Sequence, residues 1–270
     1  MKITVTGASG FLGQNVLTAL LRKNVEIFAI TRDSRNLATI DKSINIIEQD
    51  IYNCDSSLWG KIGSPDVLIH LAWNGLPDYK SLHHFEVELP NQYKFIKNLI
   101  DAGLRSLFVA GTCFEYGMQS GALSVEVPPK PSNPYGYAKN ALRLQLDFLK
   151  DIKPFNLIWG RLFYMYGKNQ PDTSLYSQFL KAQLRGEEVF NMSGGEQLRD
   201  YLPVEEVAKQ IADLALTKKN IGLINICSGH PISVRSLVEQ WKKEMNSEIK
   251  LNLGYYPYSD YEPMNFWGSK

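Results

Sequence analysis

Two residues with the chemistry of proton transfer stand four positions apart in the middle of the chain. Tyr135 and Lys139 belong to the segment PYGYAK, and Ser132-Asn133 with Pro134 predicts that a helix begins there. Residues at i and i+4 share one face of a helix. An ammonium group near a phenol favours the phenolate, so Lys139 is expected to lower the pKa of Tyr135. The pair predicts a tyrosine that exchanges a proton with a carbinol or carbonyl oxygen.

A hydroxyl group is predicted to face the same site. Thr112 follows the apolar run Leu107–Ala110, which has the pattern of a buried parallel strand. At the carboxyl end of that strand, the hydroxyl can donate to a substrate oxygen and orient the proton transfer. The neighbouring Cys113 is interpreted as a small packed residue rather than a nucleophile.

A glycine-rich turn near the N-terminus has the spacing of a phosphate-binding loop. The segment TGASGFLG, residues 6–13, joins a strand pattern to a helical pattern. Its three glycines permit a tight turn, close approach to a pyrophosphate, and close packing of helix and strand. The helix then offers free N–H groups to the anion, which predicts a dinucleotide site. The residues assigned to it are Gly7, Ser9, Gly10, Phe11, Leu12 and Gly13.

The end of the second predicted strand bears on the choice between NAD and NADP. NAD enzymes place an acid there to hold the ribose 2′-hydroxyl. Here Glu26–Ile30 is followed by the neutral Thr31 and by Arg32, whose planar cation suits a 2′-phosphate. Arg35 is expected to assist, and Asp33 falls two places beyond the tip. NADP is therefore predicted over NAD, the alternative being that Arg32 is merely solvated in a turn.

The elements that must position these residues follow an alternating pattern. Short apolar runs alternate with amphipathic helical segments, which predicts an α/β, Rossmann-type, doubly wound parallel sheet with right-handed crossovers. Beyond Gly160 the loops gain Gly, Asn and Pro. The predicted division is a dinucleotide-binding domain over 1–162 and a mainly substrate-binding lobe over 163–270, with about 203–229 returning to the sheet. Predicted strands are Ile3–Thr6, Glu26–Ile30, Asn45–Glu48, Val67–Leu71, Leu107–Ala110, Asn156–Gly160 and Leu223–Cys227; predicted helices are Leu12–Arg22, Asn91–Ala102, Tyr135–Leu149, Leu175–Arg185, Val204–Leu216 and Val234–Met245.

Composition excludes several classes of partner. The 270 residues carry 29 Lys+Arg against 28 Asp+Glu, so no basic field favours nucleic acid or an anionic membrane. Three well-separated cysteines argue against a disulfide framework. With no signal peptide and no apolar run long enough to span a bilayer, a cytoplasmic protein is expected. His83-His84 has no cysteine or carboxylate at ligand spacing, so no metal site is predicted.

In combination, these segments resemble the extended short-chain dehydrogenase/reductase family. The match runs in order along nearly the whole chain and is far more specific than any one motif. The resemblance implies a Rossmann domain, a small lobe that binds a nucleotide sugar, and a homodimer formed through the helices near 91–102 and 135–149. The matching pieces are the loop 6–13, Asp50-Ile51, His70-Leu71-Ala72, Thr112 four before Tyr116-Gly117, Tyr135 with Lys139, Arg161 with Tyr166-Gly167, and Arg199-Asp200-Tyr201 followed by Val204.

The resemblance also implies roles for individual residues. Asp50 and Ile51 would hold the adenine, and Leu71, Ala72 and Trp73 would run beside the cofactor ribose and pyrophosphate. Leu162 and Phe163 would lie near the nicotinamide, and Lys139 would hold its ribose. Arg199 would meet the diphosphate of the substrate. Thr112 and Tyr135 would contact the sugar, as would Tyr164, which stands where the family usually has Asn.

Three reactions of the family compete. A 4,6-dehydratase usually has an Asp-Glu pair after the catalytic Thr, where this chain has Cys113-Phe114. A 4-epimerase usually holds NAD, which Thr31-Arg32 disfavours. The prediction is therefore reduction by NADPH of C4 in a nucleotide-linked 4-keto-6-deoxyhexose for surface polysaccharide such as O-antigen, with conversion of dTDP-4-keto-6-deoxyglucose to dTDP-fucose as the preferred case. The alternatives are an epimerase with bound NAD and a non-catalytic NADP-binding sensor or scaffold.

Overall fold

Seven parallel strands form the central sheet of the computed structural model, which describes residues 1–55 and 57–270. Seven further strands, seven α-helices, three 3-10 helices and one π-helical turn complete the elements found in these two ranges. The strands are β1 Lys2–Thr6, β2 Glu26–Thr31, β3 Asn45–Glu48, β4 Val67–His70, β5 Ser106–Thr112, β6 Gly121–Leu123, β7 Asn156–Leu162, β8 Tyr164–Tyr166, β9 Val189–Asn191, β10 Leu198–Pro203, β11 Gly222–Ile226, β12 Pro231–Ser233, β13 Lys250–Asn252 and β14 Phe266–Gly268. The helices are α1 Phe11–Leu21, α2 Leu58–Lys61, α3 Leu89–Ala102, α4 Pro134–Ile152, α5 Leu175–Leu184, α6 Val204–Leu216 and α7 Val234–Glu244.

The strand order of the main sheet is β11-β7-β5-β4-β1-β2-β3. β1 pairs with β2 on one side and with β4 on the other, so the chain reverses its direction of travel across the sheet at this point. Ligands of open parallel sheets bind beside the carboxyl ends of the strands at such a reversal. The predicted α/β fold is confirmed, and all seven predicted strands belong to this sheet.

Helices cover both faces of the sheet because its strands are apolar on both sides. Val67 and Ile69 face the core that contains α1 and α6, while Leu68 between them faces the core that contains α3 and α4. This is the alternation that a pleated strand imposes. An apolar core therefore lies on each face of the sheet, and packing against the helices on both faces fixes the strand ends that carry the site.

The later part of the chain builds smaller sheets beside these strand ends. One sheet has the order β12-β10-β8, and two-stranded pairs join β13 to β9 and β14 to β6. A separate apolar cluster around Phe179, Phe190 and Trp241 supports α5 and α7. β11 returns to the main sheet beside β7. In the two described ranges, no helix combines the length and the apolar character needed to cross a bilayer.

Candidate active site

The glycine loop between β1 and α1 has the geometry that its spacing predicts. Gly7 adopts a φ of +66°, and a Cβ there would lie 2.8 Å from the backbone nitrogen of Ala72. A Cβ on Gly13 would lie 2.1 Å from the carbonyl oxygen of Gly7. Gly10 precedes α1 without any side-chain cap, so the first N–H groups of the helix face the loop. A side chain at Gly7 or Gly13 would clash with the backbone, so the tight turn depends on glycine at both positions. The free N–H groups at the start of α1 suit a pyrophosphate.

A groove of about 210 Å³ extends from this loop to the tip of β2. The structure brings together there most of the residues predicted to hold the adenosine half of a dinucleotide. The lining residues include Gly7, Ser9, Gly10, Arg32, Asp50, Ile51, Leu71, Ala72 and Trp73.

The tip of β2 carries no acid, and its two arginines differ in their contacts. The Thr31 hydroxyl donates to the carbonyl oxygen of Asp33 at 3.0 Å and lies 3.1 Å from the Ser9 hydroxyl. Arg32 is exposed, lines the groove, and makes no side-chain hydrogen bond or ion pair with any described residue. Arg35 instead pairs with Asp33 at 2.7 Å, and this contact lowers the pKa of the Asp33 carboxyl. Arg35 is thus not brought to the groove, because an acid two residues away engages its guanidinium.

The ends of β1 and β4 are joined by a buried hydroxyl. The Thr6 side chain accepts from the backbone N–H groups of Leu71 and Ala72 at 3.2 and 3.4 Å. It also contacts Nδ1 of His70 at 2.8 Å, and Nε2 of His70 contacts the side-chain oxygen of Gln92 at 2.7 Å. Burial lowers the pKa of His70 to about 3, so the ring is neutral. Thr6 therefore donates to Nδ1, and the network fixes the backbone that lines the groove.

A second cavity, of about 350 Å³, collects the predicted catalytic side chains. Asn133 caps α4 by accepting from the Gly136 N–H at 2.8 Å, which sets the first turn that carries Tyr135. A Cβ on Gly136 would lie 2.4 Å from the carbonyl oxygen of Phe114, so α4 approaches the turn after β5 closely. The cavity lining includes Thr112, Tyr135 and Lys139, together with Phe11, Leu12, Leu162, Phe163 and Tyr164 from the predicted set. Leu71 and Trp73 line both this cavity and the groove.

Lys139 is held as a buried cation. Its Nζ donates to the carbonyl oxygen of Ala110 at 2.8 Å and lies 4.0 Å from the centre of the Trp73 ring. Burial lowers the pKa of Lys139 to about 7, although the charges of Glu115 and Glu88 work in the opposite direction. The ammonium is thus close to its titration point near neutral pH.

The phenol of Tyr135 behaves differently from the expectation. Burial raises the pKa of Tyr135 above its ordinary value, helped by Tyr79 and opposed by a hydrogen bond with Thr112. The Lys139 ammonium lies 5.9 Å from the Tyr135 ring centre, and rings from Trp73 and Tyr79 stand 6.0 and 5.6 Å away. The expected lowering by Lys139 was wrong for the protein alone, because desolvation outweighs a charge at this distance. Tyr135 accordingly keeps its proton.

His84 links the surroundings of both catalytic residues. The ring is fully buried; its Nδ1 accepts from the Trp73 indole N–H at 3.1 Å, and its Nε2 lies 2.8 Å from the carbonyl oxygen of Asp78. An indole can only donate and a carbonyl can only accept, so the proton of His84 sits on Nε2. His84 thereby holds Trp73 over Lys139 and fixes the loop in which Tyr79 follows Asp78. The His83-His84 pair predicted no such role.

Arg199 has partners within the protein. Its guanidinium donates to Glu262 at 2.8 and 3.2 Å and to the carbonyl oxygens of Leu198 and Met264 at 2.9 and 2.8 Å. Both side chains of the ion pair are largely buried. Arg199 does not line the catalytic cavity, although its guanidinium lies 5.9 Å from the ring centre of Tyr164, which does. A diphosphate would have to displace Glu262 to reach it.

Glu115 is a residue that the sequence reading missed. Its buried carboxylate accepts from the Thr112 N–H, the Trp159 indole and Arg161, all at 2.8–2.9 Å. The Thr112 hydroxyl accepts in turn from the Phe114 N–H at 3.3 Å, which completes a capping box. Thr-x-x-Glu is the sequence signature of this motif, so the signal was present in residues 112–115.

The model of the NAD dependent epimerase/dehydratase family matches residues 3–227. The chain belongs to this family. It is thus an extended short-chain dehydrogenase/reductase, an enzyme that acts on nucleotide sugars with a nicotinamide cofactor. The family assignment agrees with the resemblance seen in the motifs.

Individual relatives cover nearly the whole chain. The dTDP-6-deoxy-L-talose 4-dehydrogenase (NAD(+)) of Aggregatibacter actinomycetemcomitans is 31% identical over 100% of both chains. The GDP-6-deoxy-D-talose 4-dehydrogenase of the same organism is 24% identical over 88% of this chain and 78% of its own. Among solved structures, MoeE5 in complex with UDP-glucose and NAD is 25% identical, with a TM-score of 0.82 over 99% of this chain and 89% of the other.

Proposed function

We propose that this protein is a nucleotide-sugar 4-ketoreductase that uses NADPH to reduce C4 of a dTDP-linked 4-keto-6-deoxyhexose. The observation that carries the proposal is the buried, protonated Tyr135 beside Thr112, in a cavity that adjoins the cofactor groove. A relative at 31% identity is named a 4-dehydrogenase of a dTDP-linked 6-deoxyhexose. Oxidation of an alcohol and reduction of the ketone are one reaction in opposite directions, so the same side chains serve both.

The side chains divide the work of the reaction. The nicotinamide cofactor, when bound, supplies the hydride for C4. Tyr135 donates its phenolic proton to the C4 oxygen as charge develops there. The Thr112 hydroxyl, fixed by the Phe114 N–H, hydrogen bonds the same oxygen and orients it. Lys139 provides a positive charge beside the phenol and stabilises the tyrosinate that remains.

Two other reactions and a non-catalytic role compete with the proposed reduction. Dehydration needs an acid and a base after Thr112, where the cavity has Cys113 and Phe114. Burial raises the pKa of the Cys113 thiol, which makes it a poor base or nucleophile. A 4-epimerase with retained NAD remains the second candidate, since structures of similar fold contain that cofactor. A non-catalytic sensor would not need the Thr112, Tyr135 and Lys139 arrangement.

Arg32 is proposed to select NADPH, which gives a prediction with a matched control. Arg32→Ala is expected to weaken NADPH binding about 10–100-fold, because a charge-assisted contact contributes about 1.5–3 kcal/mol. Binding of NADH is expected to be unchanged. Arg35→Ala is the control, because Arg35 pairs with Asp33 and does not line the groove. Fluorescence titration of both variants with both cofactors measures the effect. If the wild-type protein prefers NADH and Arg32→Ala changes neither affinity, the chain uses NAD as its 4-dehydrogenase relative does.

A homodimer through α4 is proposed from an exposed apolar stripe. Tyr137, Leu144, Phe148 and Ile152 are 54%, 41%, 69% and 78% exposed and recur at helical spacing along one face. Phe148→Glu with Ile152→Glu is expected to convert a dimer into a monomer with an intact fold. Light scattering gives the mass and circular dichroism the fold. A wild-type protein that is already a monomer would refute the dimer.

The direct test of the proposed reaction is consumption of NADPH in the presence of dTDP-4-keto-6-deoxyglucose. Oxidation at C4 of dTDP-6-deoxy-L-talose, the sugar in the relative's name, is a second assay with its own 4-keto product.

A further inference from the structure

The buried ammonium of Lys139 has more donors than hydrogen-bond acceptors around it. An ammonium carries three N–H groups. Among the described residues, the carbonyl oxygen of Ala110 alone accepts from Nζ, at 2.8 Å. The face of the Trp73 indole lies 4.0 Å from Nζ on another side. A buried cation gains from such a face an attraction comparable to that of a hydrogen bond, so the ring takes the place of a second acceptor.

The backbone and the side chain of Trp73 are both fixed. The N–H of the residue before it donates to the Thr6 hydroxyl at 3.4 Å, and the N–H of the residue after it donates to Glu88 at 3.1 Å. The indole N–H donates to Nδ1 of His84 at 3.1 Å, and the two rings stack at an interplanar angle of 28°. The ring face is therefore held in one orientation before any ligand binds.

His84 can orient the indole because its own ring cannot turn. The side chain is fully buried, and its Nε2 donates to the carbonyl oxygen of Asp78 at 2.8 Å. A ring flip would leave the Trp73 N–H without an acceptor, since an indole only donates. The His84 ring also lies 5.2 Å from the ring of Tyr135. The two rings thus connect Lys139 to the surroundings of Tyr135 without touching the reacting atoms.

Other titratable groups that face Lys139 come from three further elements and from its own helix. Glu115 in the turn after β5 and Glu88 in the π-helical turn before α3 favour the ammonium by their charge, but each has other partners. His70 on β4 is neutral, because burial lowers its pKa to about 3. Tyr135 on α4 has its ring centre 5.9 Å from Nζ. The Trp73 ring, at 4.0 Å, contacts the ammonium directly.

We infer that Trp73 is a positioning residue for Lys139, and that His84 orients its ring. The ring face holds the ammonium beside Tyr135 and stabilises the charge, which the reduction needs to support the tyrosinate. Loss of the ring disfavours the charged form of the lysine, because the attraction of the aromatic face is lost with it. The kinetic consequence rests on the proposed function, whereas the effect on the charge of Lys139 does not.

NMR of isotopically labelled lysine tests the charge of Lys139 in the ligand-free protein. Its signal is assigned by its absence from Lys139→Met. Trp73→Leu is expected to lower the pKa of Lys139 by about one pH unit. Trp73→Phe retains an aromatic face and is expected to restore most of that loss. Trp59→Leu is the matched control, because Trp59 lies on α2 and lines neither the groove nor the cavity.

Two substitutions of His84 separate its two hydrogen bonds. Glutamine can still donate to the carbonyl oxygen of Asp78 but offers no acceptor to the indole, whereas asparagine offers an oxygen in place of Nδ1 and loses the bond to Asp78. His84→Gln is therefore expected to lower the pKa of Lys139 towards its value in Trp73→Leu. His84→Asn is expected to leave it close to the wild-type value.

The pH profile of kcat at saturating NADPH tests the catalytic consequence. Above the pKa of Lys139, one pH unit changes the charged fraction about tenfold. Trp73→Leu is expected to lower kcat for keto-sugar reduction about tenfold near pH 8 and to approach the wild-type kcat as the pH falls, with KM for the sugar unchanged. A merely structural role of Trp73 would lower kcat equally at every pH.

The outcomes separate this inference from the proposed reaction. An unchanged or higher pKa of Lys139 in Trp73→Leu, an equal fall in Trp73→Phe or in Trp59→Leu, or a kcat profile that does not move with pH would each overturn the role of Trp73. Equal effects of the two His84 substitutions would show that His84 does not orient the ring. If the pKa falls as expected but the wild-type protein reduces no keto sugar, the positioning role stands and the reductase proposal alone fails.

Discussion

Replacing Tyr135 with phenylalanine is expected to lower kcat for keto-sugar reduction by about 10³-fold. The substitution removes the only oxygen proposed to donate the proton and leaves the ring in place among Trp73, Tyr79 and His84. KM for the sugar is expected to change little, because the phenolic proton is transferred in the transition state rather than in binding. Folding is expected to be intact, because the phenylalanine ring keeps the packing of the tyrosine ring.

Steady-state kinetics with NADPH and dTDP-4-keto-6-deoxyglucose measure this effect. Tyr137→Phe is the matched control, because Tyr137 lies on the same helix as Tyr135 and is 54% exposed. The control is expected to keep wild-type kcat. A Tyr135→Phe enzyme that retains more than a few per cent of turnover would show that another group donates the proton.

Lys139→Met is expected to lower the activity of the enzyme and to raise the stability of its fold. The substitution removes a charge that the mechanism uses beside Tyr135, and kcat/KM is expected to fall about 100-fold or more. It also removes a cation from a buried position in which its pKa is lowered from 10.5 to about 7. Between these two values the unfolded chain binds a proton that the folded protein does not. Wild-type stability therefore rises with pH across this window, whereas that of the variant does not.

The stability gain of Lys139→Met has a defined pH dependence. The variant is expected to exceed the wild type by more than about 1 kcal/mol in free energy of unfolding below pH 7. The difference shrinks as the pH rises and disappears towards pH 10.5, where the lysine is neutral in both states. Urea denaturation at a series of pH values measures it, with Lys209→Met on the exposed face of α6 as the control. A gain independent of pH, or a loss at low pH, would contradict the assignment of Lys139 as a desolvated cation.

The fold could be predicted from the sequence because its signals are local and repeated. The run Asn45–Glu48 and the helix Val204–Leu216 were predicted at their observed ends, and the other main-sheet strands differ only at their termini. The six three-residue strands outside the main sheet were missed, as was the six-residue β10. Each pairs with a distant segment, as β6 does with β14 near the end of the chain, and three residues carry too little periodicity to be recognised.

The site was predictable in its residues and less so in its electrostatics. Tyr135 and Lys139 share a helix face as i and i+4 spacing requires, but the rings that desolvate Tyr135 come from two other segments, the loop after β4 and the turn after β5. The ion pair of Arg199 joins residues 63 positions apart, which no local pattern indicates. By contrast, the pairing of Arg35 with Asp33 and the capping box of Thr112 with Glu115 are local, and sequence reasoning could have found both. Burial and long-range pairing are therefore what the sequence did not reveal.

We propose that this enzyme consumes a reduced nicotinamide cofactor to convert a C4 ketone into an alcohol. The most direct measurement mixes the purified protein with dTDP-4-keto-6-deoxyglucose, with NADPH and NADH in parallel, and follows the loss of reduced-nicotinamide absorbance. We expect rapid loss that is faster with NADPH, with one sugar alcohol formed per cofactor oxidised as seen by NMR. Absence of cofactor oxidation with this and the corresponding GDP- and CDP-linked keto sugars, together with C4 inversion of a UDP-hexose, would contradict it and identify an epimerase.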